Sequence, residues 1–290
     1  MFQINNFTNN DDVTIIAEKG PFQVIQYKRD LSVSPSTAVT AYFCDKMNIR
    51  KRQVICNLSK SNGIICQAGA MQWSVGDVKA TTGVKGATDF LGKFVKGKVT
   101  GESTIKPEYV GSGTLVLEPT YRHLVLLDTG NWNGKVVLDD GLFLACDASI
   151  KQKVVARSNI SSAVLGGEGL FNLALEGVGI AVLECRCPQE ELIEVTLEND
   201  VLKVDGSFAI AWSDSLSFTV ERSNKTLIGS AASGEGFVNV YRGTGKVLLA
   251  PVDSTIGGFP FASPSAPASA GTKSASLLGS FLGGVADVLD

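Results

Sequence analysis

A short glycine motif recurs along this chain at a constant interval, and that interval constrains the possible folds more than any other feature. The motif is Gly-x-Gly followed by apolar residues, and it begins at positions 66 residues apart: Gly111, Gly177 and Gly243. A second marker, Gly-Glu-Gly or Gly-Glu-Ser, recurs nearly in the same phase and begins at Gly101, Gly167 and Gly234. Because a glycine-rich composition alone would not keep two markers in phase, the sequence predicts three copies of one unit.

Two further markers support this triplication. Arg-Ser-Asn occurs at Arg157 and at Arg222, and Ala-x-x-Trp-Ser begins at Ala70 and at Ala209. A unit of about 66 residues is longer than the repeats of common solenoids, so each unit must hold several strands. With a strand and its turn taking about 8–12 residues, roughly six strands fit into each unit.

The glycines of both markers are interpreted as structural, because glycine allows a positive φ and the close approach of another backbone. This role is assigned to Gly111, Gly113, Gly167, Gly169, Gly177, Gly179, Gly234, Gly236, Gly243 and Gly245. The Gly-Glu-Gly marker is not a phosphate-binding loop, because it lacks the Lys-Ser/Thr of a Walker motif and no helical pattern follows it.

The local pattern of the chain favours strands. In residues 167–184, two runs of alternating apolar residues flank Gly177-Val178-Gly179, which is typical of two short strands joined by a tight turn. Hairpin signals also occur at residues 131–134 and 140–141. Residues 31–40 are interpreted as a turn or an irregular edge. The sequence therefore predicts an all-β domain over residues 1–255.

Two segments depart from the strand pattern. Residues 84–95 have apolar residues near i, i+3 and i+4, which predicts a short helix in the first unit, and their nearby lysines are interpreted as a solvated face. Residues 256–274 are predicted to be a linker rich in Ser, Pro and Ala. Residues 275–290 are predicted to form a helical tail that contacts a protein partner or the chain itself, the alternative being an inert tail.

Composition and charge exclude several classes of function. Of the 290 residues, 44% are apolar and 19% are charged, so the chain can build a core and is not disordered. The net charge of −3 lacks the basic footprint of most nucleic-acid-binding proteins, so a nucleic-acid partner is not expected. No apolar run is long enough for a membrane span, and the polar N-terminus lacks an apolar leader, so the expected location is cytoplasmic.

The residues that could support catalysis or bind a metal form no recognisable site. The chain has six cysteines and one histidine, and Cys185-x-Cys187 is too little for a zinc site. Free structural thiols are expected. A nucleophilic pair would need Cys146 or Cys185 beside His123, but no local signature supports either, and His123 is interpreted as structural. We therefore predict no enzyme, no catalytic residue, no metal and no cofactor.

Together these motifs resemble the altered-inheritance-of-mitochondria protein 24 family, also called the mitochondrial biogenesis family. The resemblance covers residues 12–252 and is carried by residues 141–150 (GLFLACDASI), Arg157-Ser158-Asn159 and residues 167–184. It implies a fold similar to the tryptophan RNA-binding attenuation protein, with stacked antiparallel sheets repeated within the chain, and it implies a homotrimer. No catalytic residue is carried over, because the activity of the family is not established.

Two functions are therefore weighed against an enzyme. The first is a non-enzymatic scaffold or interaction protein, in which ring closure covers open sheet edges. The second is a binding module for a small ligand or single-stranded RNA in clefts between repeats, with Arg157 and Arg222 as candidates, since arginine forks suit phosphate and carboxylate. A structural role for Arg-Ser-Asn at a strand end is the alternative. RNA binding is disfavoured by the charge of the turns. The attenuation protein binds RNA through recurrent basic residues, whereas the equivalent turns of this chain carry Glu102, Glu168 and Glu235.

Overall fold

The computed structural model describes residues 2–81, 106–156, 171–222 and 237–252, which contain sixteen strands, one α-helix and two single-turn 3-10 helices. The strands are β1 (Val13–Lys19), β2 (Phe22–Tyr27), β3 (Arg52–Leu58), β4 (Ile64–Cys66), β5 (Met71–Thr81), β6 (Glu108–Leu117), β7 (His123–Asp128), β8 (Lys135–Leu138), β9 (Phe143–Asp147), β10 (Lys151–Ala156), β11 (Phe171–Glu176), β12 (Ile180–Cys185), β13 (Ile193–Asp205), β14 (Ala209–Ser213), β15 (Ser217–Arg222) and β16 (Phe237–Leu249). The helices are α1 (Ala38–Lys46) and the 3-10 turns Thr129–Trp132 and Gln189–Glu191.

These strands form two antiparallel sheets. The nine-stranded sheet has the order β1-β2-β3-β6-β4-β9-β12-β7, with β5 paired to β6. The seven-stranded sheet has the order β10-β11-β8-β14-β16-β13, with β15 paired to β16. The nine-stranded sheet is curled, so that its two outer strands, β1 and β7, approach each other. Lys19 Nζ at the end of β1 lies 3.1 Å from Asp128 Oδ2 at the end of β7.

Apolar side chains form three main clusters because several strands bury both of their faces. In β12, Ala181 and Leu183 pack in the cluster shared by the two sheets, whereas Ile180 and Val182 pack inside the curled sheet. A third cluster, which includes Trp212, lies on the other face of the seven-stranded sheet. Strands buried on both faces read as continuous apolar runs, as β7, β8 and β12 do.

The prediction of a mainly β fold is confirmed, but the interpretation of residues 31–40 was wrong in part, because α1 begins at Ala38. None of the nine residues of α1 is buried, and Thr37 provides no side-chain cap. A helix without a buried face has no apolar periodicity for sequence reasoning to detect. The helix predicted over residues 84–95, the linker and the C-terminal tail lie outside the described residues.

The predicted turns exist, but they do not connect paired strands, so the hairpin interpretation was wrong. Residues 129–134 connect β7 to β8, residues 139–142 connect β8 to β9, and residues 177–179 connect β11 to β12. Each connection leads from one sheet to the other. The turn chemistry itself is as predicted, since Asn133, Gly134 and Gly141 have φ of 53°, 70° and 74°. Turn residues show where the chain reverses direction, but which strands pair depends on how each strand buries its two faces.

The first glycine of each Gly-x-Gly motif has the same backbone conformation. Gly111, Gly177 and Gly243 have φ of 119°, 128° and 123°, a region that glycine alone occupies readily. A Cβ atom at Gly111 would overlap the carbonyl oxygen of Asp77, and one at Gly177 would lie 2.7 Å from that of Ser149. At Gly111 and Gly177 the assigned structural role therefore has a physical cause, which is close approach of a neighbouring backbone, whereas at Gly243 the positive φ is the main requirement.

The hydrogen bonds around the second and third motifs also match. In each of these two motifs, a side chain accepts a hydrogen bond from the backbone N–H three residues beyond the first glycine. A serine also donates a hydrogen bond to the carbonyl of the residue that follows the first glycine. The bonds are Ile180 N to Asp147 Oδ2 (2.6 Å), Lys246 N to Ser213 Oγ (2.9 Å), Ser149 Oγ to Val178 O (3.1 Å) and Ser215 Oγ to Thr244 O (2.8 Å). Each partner in one motif lies 66 residues from its counterpart in the other.

Substituting alanine at Gly111 and at Gly243 separates backbone strain from steric overlap. Both variants force an alanine to φ near +120°, which costs on the order of 1–3 kcal/mol. At Gly243 the nearest atom to the new Cβ is 3.7 Å away, so strain is the main cost there. At Gly111 the overlap with Asp77 should add at least ~1 kcal/mol. Urea unfolding of both variants measures the difference, and equal losses of stability would contradict this explanation.

Candidate functional site

The side chains of the two arginines predicted from sequence lie outside the described part of the chain. Arg157 lies outside the described residues, as do Gly167, Gly169, Gly234 and Gly236. The backbone of Arg222 pairs with Phe237 at the end of β15, and its side chain lies outside the described part of the chain. The ligand-binding role of this pair therefore stays a prediction.

The structure brings His123 and Cys185 together, because they lie opposite each other on β7 and β12. Their protonation states do not suit a nucleophilic pair. Burial raises the pKa of the Cys185 thiol to about 12, and burial together with Arg52 lowers the pKa of His123 to about 4. A reactive cysteine needs a lowered thiol pKa, so this arrangement favours a neutral thiol and a neutral imidazole.

The other cysteines, apart from the partly exposed Cys44, are also buried. All six thiols are free, and five of them are buried, namely Cys56, Cys66, Cys146, Cys185 and Cys187. Burial raises the pKa of Cys146 to about 12, against a hydrogen bond from Gln152 that lowers it. In the described ranges, no three His, Cys, Asp or Glu side chains are grouped to hold a metal ion. None of the helices described there is long and apolar enough to cross a membrane.

A cleft of about 340 Å³ lies beside α1, and sequence reasoning did not find it. One wall is formed by α1, through Ala38, Ala41 and Tyr42. The opposite side combines the end of β2, the segment that follows it and the residues just before β3, and Tyr121 completes the lining. Tyr121 meets lining residues that lie 70 or more positions earlier in the chain, so no local motif could have revealed the complete cleft.

A hydrogen-bonded network of polar groups lines the cleft. Tyr121 Oη donates to Asp30 Oδ2 at 2.7 Å, and Lys51 Nζ lies 3.1 Å from Asp30 Oδ1. Burial alone would raise the pKa of Asp30, but the hydrogen bonds from Tyr121 and Lys51 outweigh it and lower that pKa. Lys51 Nζ also lies 5.7 Å from the ring centre of Tyr27, within cation–π range. Asp30 is therefore held as a charged carboxylate.

Two arginines border the same cleft. Arg50 Nη1 lies 2.5 Å from Asp45 Oδ1 and donates to the carbonyl oxygen of Lys28, also at 2.5 Å. Arg29 makes a two-pronged contact with Asp12, with Nε and Nη2 at 2.6 and 2.8 Å from its two carboxylate oxygens. These contacts attach the helix-bearing segment to the edge of the nine-stranded sheet. The cleft therefore has a charged side and, through α1, an apolar side.

Thiol labelling should distinguish Cys44 from the other cysteines. Cys44 lines the cleft and is partly exposed, whereas the remaining five thiols are buried. We expect one fast reaction with a thiol-specific disulfide reagent in the folded protein and six after unfolding. The Cys44→Ser variant should lose the fast reaction. Fast labelling of two or more thiols in the folded protein would contradict the burial described above.

The shifted pKa of His123 predicts a pH dependence of stability. In an unfolded chain histidine has a pKa of about 6.5, whereas the folded value is about 4. Between these values the unfolded chain binds a proton that the folded chain does not, so the stability contribution present above pH ~6.5 is lost as the pH falls toward ~4. The His123→Gln variant should lack this slope. Urea unfolding of both proteins at pH 7 and pH 5 tests it, and a difference that is independent of pH would contradict it.

Comparison with known proteins agrees with this fold. The mitochondrial biogenesis AIM24 family matches residues 47–252. An uncharacterised protein of Streptococcus pyogenes serotype M6 is 30% identical over 201 residues, which cover 67% of this chain and 78% of that protein. A crystal structure of a Streptococcus pyogenes protein has a TM-score of 0.52 and 26% identity, covering 71% of this chain and 89% of the other. The chain therefore belongs to the mitochondrial biogenesis AIM24 family.

Proposed function

We propose that this protein is a non-enzymatic β-scaffold that assembles as a homotrimer and presents its surface to protein partners. The observation that supports this most is the pair of open edges of the seven-stranded sheet, β10 and β13. Neither strand pairs with a second neighbour among the described residues. An open edge exposes a row of backbone donors and acceptors that a strand from another chain can bind.

The side chains of the two edges favour contact with another chain. Val154 and Val155 on β10 are 48% and 38% exposed, and Ile193 and Val201 on β13 are 52% and 45% exposed. Apolar residues exposed along an unpaired edge are unusual in a protein that stays monomeric, because such edges invite association. Strand β13 is also thirteen residues long, whereas proteins commonly protect a sheet edge from association by keeping its strand short. Its length therefore also favours contact with another chain.

The charges of the two edges are complementary. Strand β10 contributes Lys151 and Lys153, and β13 contributes Glu194, Glu198 and Asp200. Lys153 and Glu194 already have ion-pair partners within the chain, at 2.6 Å from Glu176 and 2.8 Å from Lys246. Contact between β10 of one copy and β13 of the next would join two different surfaces, and such a heterologous interface can close into a ring of three.

The proposed triplication fits this assembly. It is supported by the shared φ of the first glycines and by hydrogen bonds that recur at an interval of 66 residues. Three units per chain and three chains per ring would give nine units. The outer face of α1 and the residue that follows it offer a separate surface for a partner, since Val39 and Phe43 on α1 are 71% and 60% exposed and Met47 is 72% exposed. The predicted C-terminal tail is a second candidate surface.

The alternative function is a binding module for a small ligand or single-stranded RNA between repeats, with Arg157 and Arg222 as the candidate residues. The proposed location is the cytoplasm, whose reducing conditions suit six free thiols.

Native mass spectrometry tests the assembly, and we expect a trimer without an added ligand. Lys151→Glu places a negative charge opposite the acidic edge and should raise the dissociation concentration several-fold. Adding Glu198→Lys should restore the trimer by reversing both charges. Lys60→Glu is the matched control, because Lys60 is an exposed lysine in the turn between β3 and β4.

Three results would contradict this proposal. The first is a monomer at all concentrations, the second is equal effects of Lys151→Glu and Lys60→Glu, and the third is a double variant no more stable than Lys151→Glu. A trimer that carries an oligonucleotide, seen as added mass and absorbance at 260 nm, would favour the RNA-binding alternative over the scaffold.

A further inference from the structure

The cleft beside α1 has the volume of a small-molecule site. Its volume of about 340 Å³ lies at the lower end of the usual range of about 300–1,000 Å³ for such sites. The helix packs loosely here, since none of its residues is buried, yet Ala41 and Tyr42 face the cleft from one side. The space between helix and sheet edge is therefore open to a compact ligand.

Each cation that lines the cleft has a carboxylate partner. Arg29 contacts Asp12, Arg50 contacts Asp45 and Lys51 contacts Asp30. A charged ligand would therefore be recognised by N–H groups that remain open rather than by a net charge of the lining. Lys46 lies just outside, with its ammonium nitrogen 5.3 Å from the ring centre of Tyr42, and adds one positive charge beside the cleft.

After its internal hydrogen bonds, Arg50 keeps an N–H group that can donate to a ligand, whereas Asp30 is largely satisfied. Asp30 is already an acceptor for Tyr121, for Lys51 and for the backbone N–H of Ser32. Arg50 uses Nε for Asn48 and Nη1 for Asp45 and Lys28, so its Nη2 makes no hydrogen bond within the described residues. An arginine with a remaining N–H group is well suited to a carboxylate, which accepts hydrogen bonds and carries one charge.

The remainder of the cleft is apolar. Leu31, Val33 and Ile49 line it and are 69%, 42% and 38% exposed, so much of their apolar surface is in contact with water. Covering such surface releases roughly 25 cal/mol for each Å² removed from water. A bound molecule therefore gains affinity from an apolar body as well as from its charged group.

We propose that this cleft binds a small monocarboxylate with an apolar body. The carboxylate contacts Arg50, with Lys51 close by, and the apolar body lies against Leu31, Val33 and Tyr42. The site is formed within one chain, so the proposal does not depend on trimer formation. It also differs from the predicted arginine site, since neither Arg157 nor Arg222 lines this cleft.

Calorimetric titration of the full chain with octanoate tests this proposal, with octan-1-ol and acetate as controls. Octanol keeps the apolar body without the charge, and acetate keeps the charge without the apolar body. We expect one octanoate per chain and at least tenfold weaker binding of both controls. Equal binding of octanol would overturn the carboxylate assignment, equal binding of acetate would overturn the apolar part, and no binding of octanoate at millimolar concentration would overturn the whole proposal.

Substitutions locate the binding site. Arg50→Gln should weaken octanoate binding about tenfold, and Tyr42→Ala should weaken it several-fold. Phe43→Ala is the matched control, because Phe43 is a similarly exposed aromatic residue on α1 that does not line the cleft. Arg50→Lys should restore part of the affinity by keeping the charge. Octanoate binding that is unchanged in both Arg50→Gln and Tyr42→Ala would place the molecule elsewhere and overturn the assignment.

Protection of Cys44 gives a second readout that does not depend on calorimetry. The Cys44 side chain lines the cleft, so bound octanoate should slow its labelling, and acetate at the same concentration should not. In Tyr42→Ala the protection should require several-fold more octanoate, which distinguishes weaker binding from a loss of folding. Labelling that octanoate leaves unchanged at saturation would overturn the proposed position of the ligand.

Discussion

A positive φ at the first glycine of each Gly-x-Gly motif is the constraint on which the rest of the fold depends. At Gly177 the chain leaves the seven-stranded sheet and enters the nine-stranded one, whereas β6 and β16 continue past Gly111 and Gly243 within their sheets. The φ is near 120° at all three positions. At Gly111 and Gly177 this conformation also lets the chain pass a neighbouring carbonyl without a side chain between them, whereas at Gly243 no carbonyl lies as close.

The sequence revealed this constraint because a backbone requirement reduces the choice of residue to glycine. It also revealed the strands, since alternating or continuous apolar runs follow directly from burial on one or both faces. The pairing of strands was harder to predict from the sequence. A turn such as the one at Asn133 and Gly134 can join two paired strands of one sheet or two strands of different sheets, and its residues are the same in both cases. Helix α1 and the cleft were not predicted, because α1 buries no residue and the contact of Tyr121 with Asp30 joins positions 91 residues apart.

Burial of the central strands leaves the sheet edges and α1 as the surfaces available for function. The curled sheet brings its own outer strands together through Lys19 and Asp128, but the seven-stranded sheet stays open at β10 and β13. Its exposed valines and complementary charges explain why we assign self-association to this sheet rather than to the curled one. The cleft lies on the other sheet, beside α1, so assembly and ligand binding would use separate surfaces of the same chain.

The central claim is that copies of this chain cover the open edges of the seven-stranded sheet. Hydrogen–deuterium exchange of the unmodified protein tests it most directly, because every second backbone N–H of an edge strand points away from its own sheet. We predict slow exchange of β10 and β13 at concentrations where the trimer forms, and faster exchange in both strands on dilution, with β8 protected throughout. Fast exchange of both edges at every concentration, with β8 still protected, would contradict the claim.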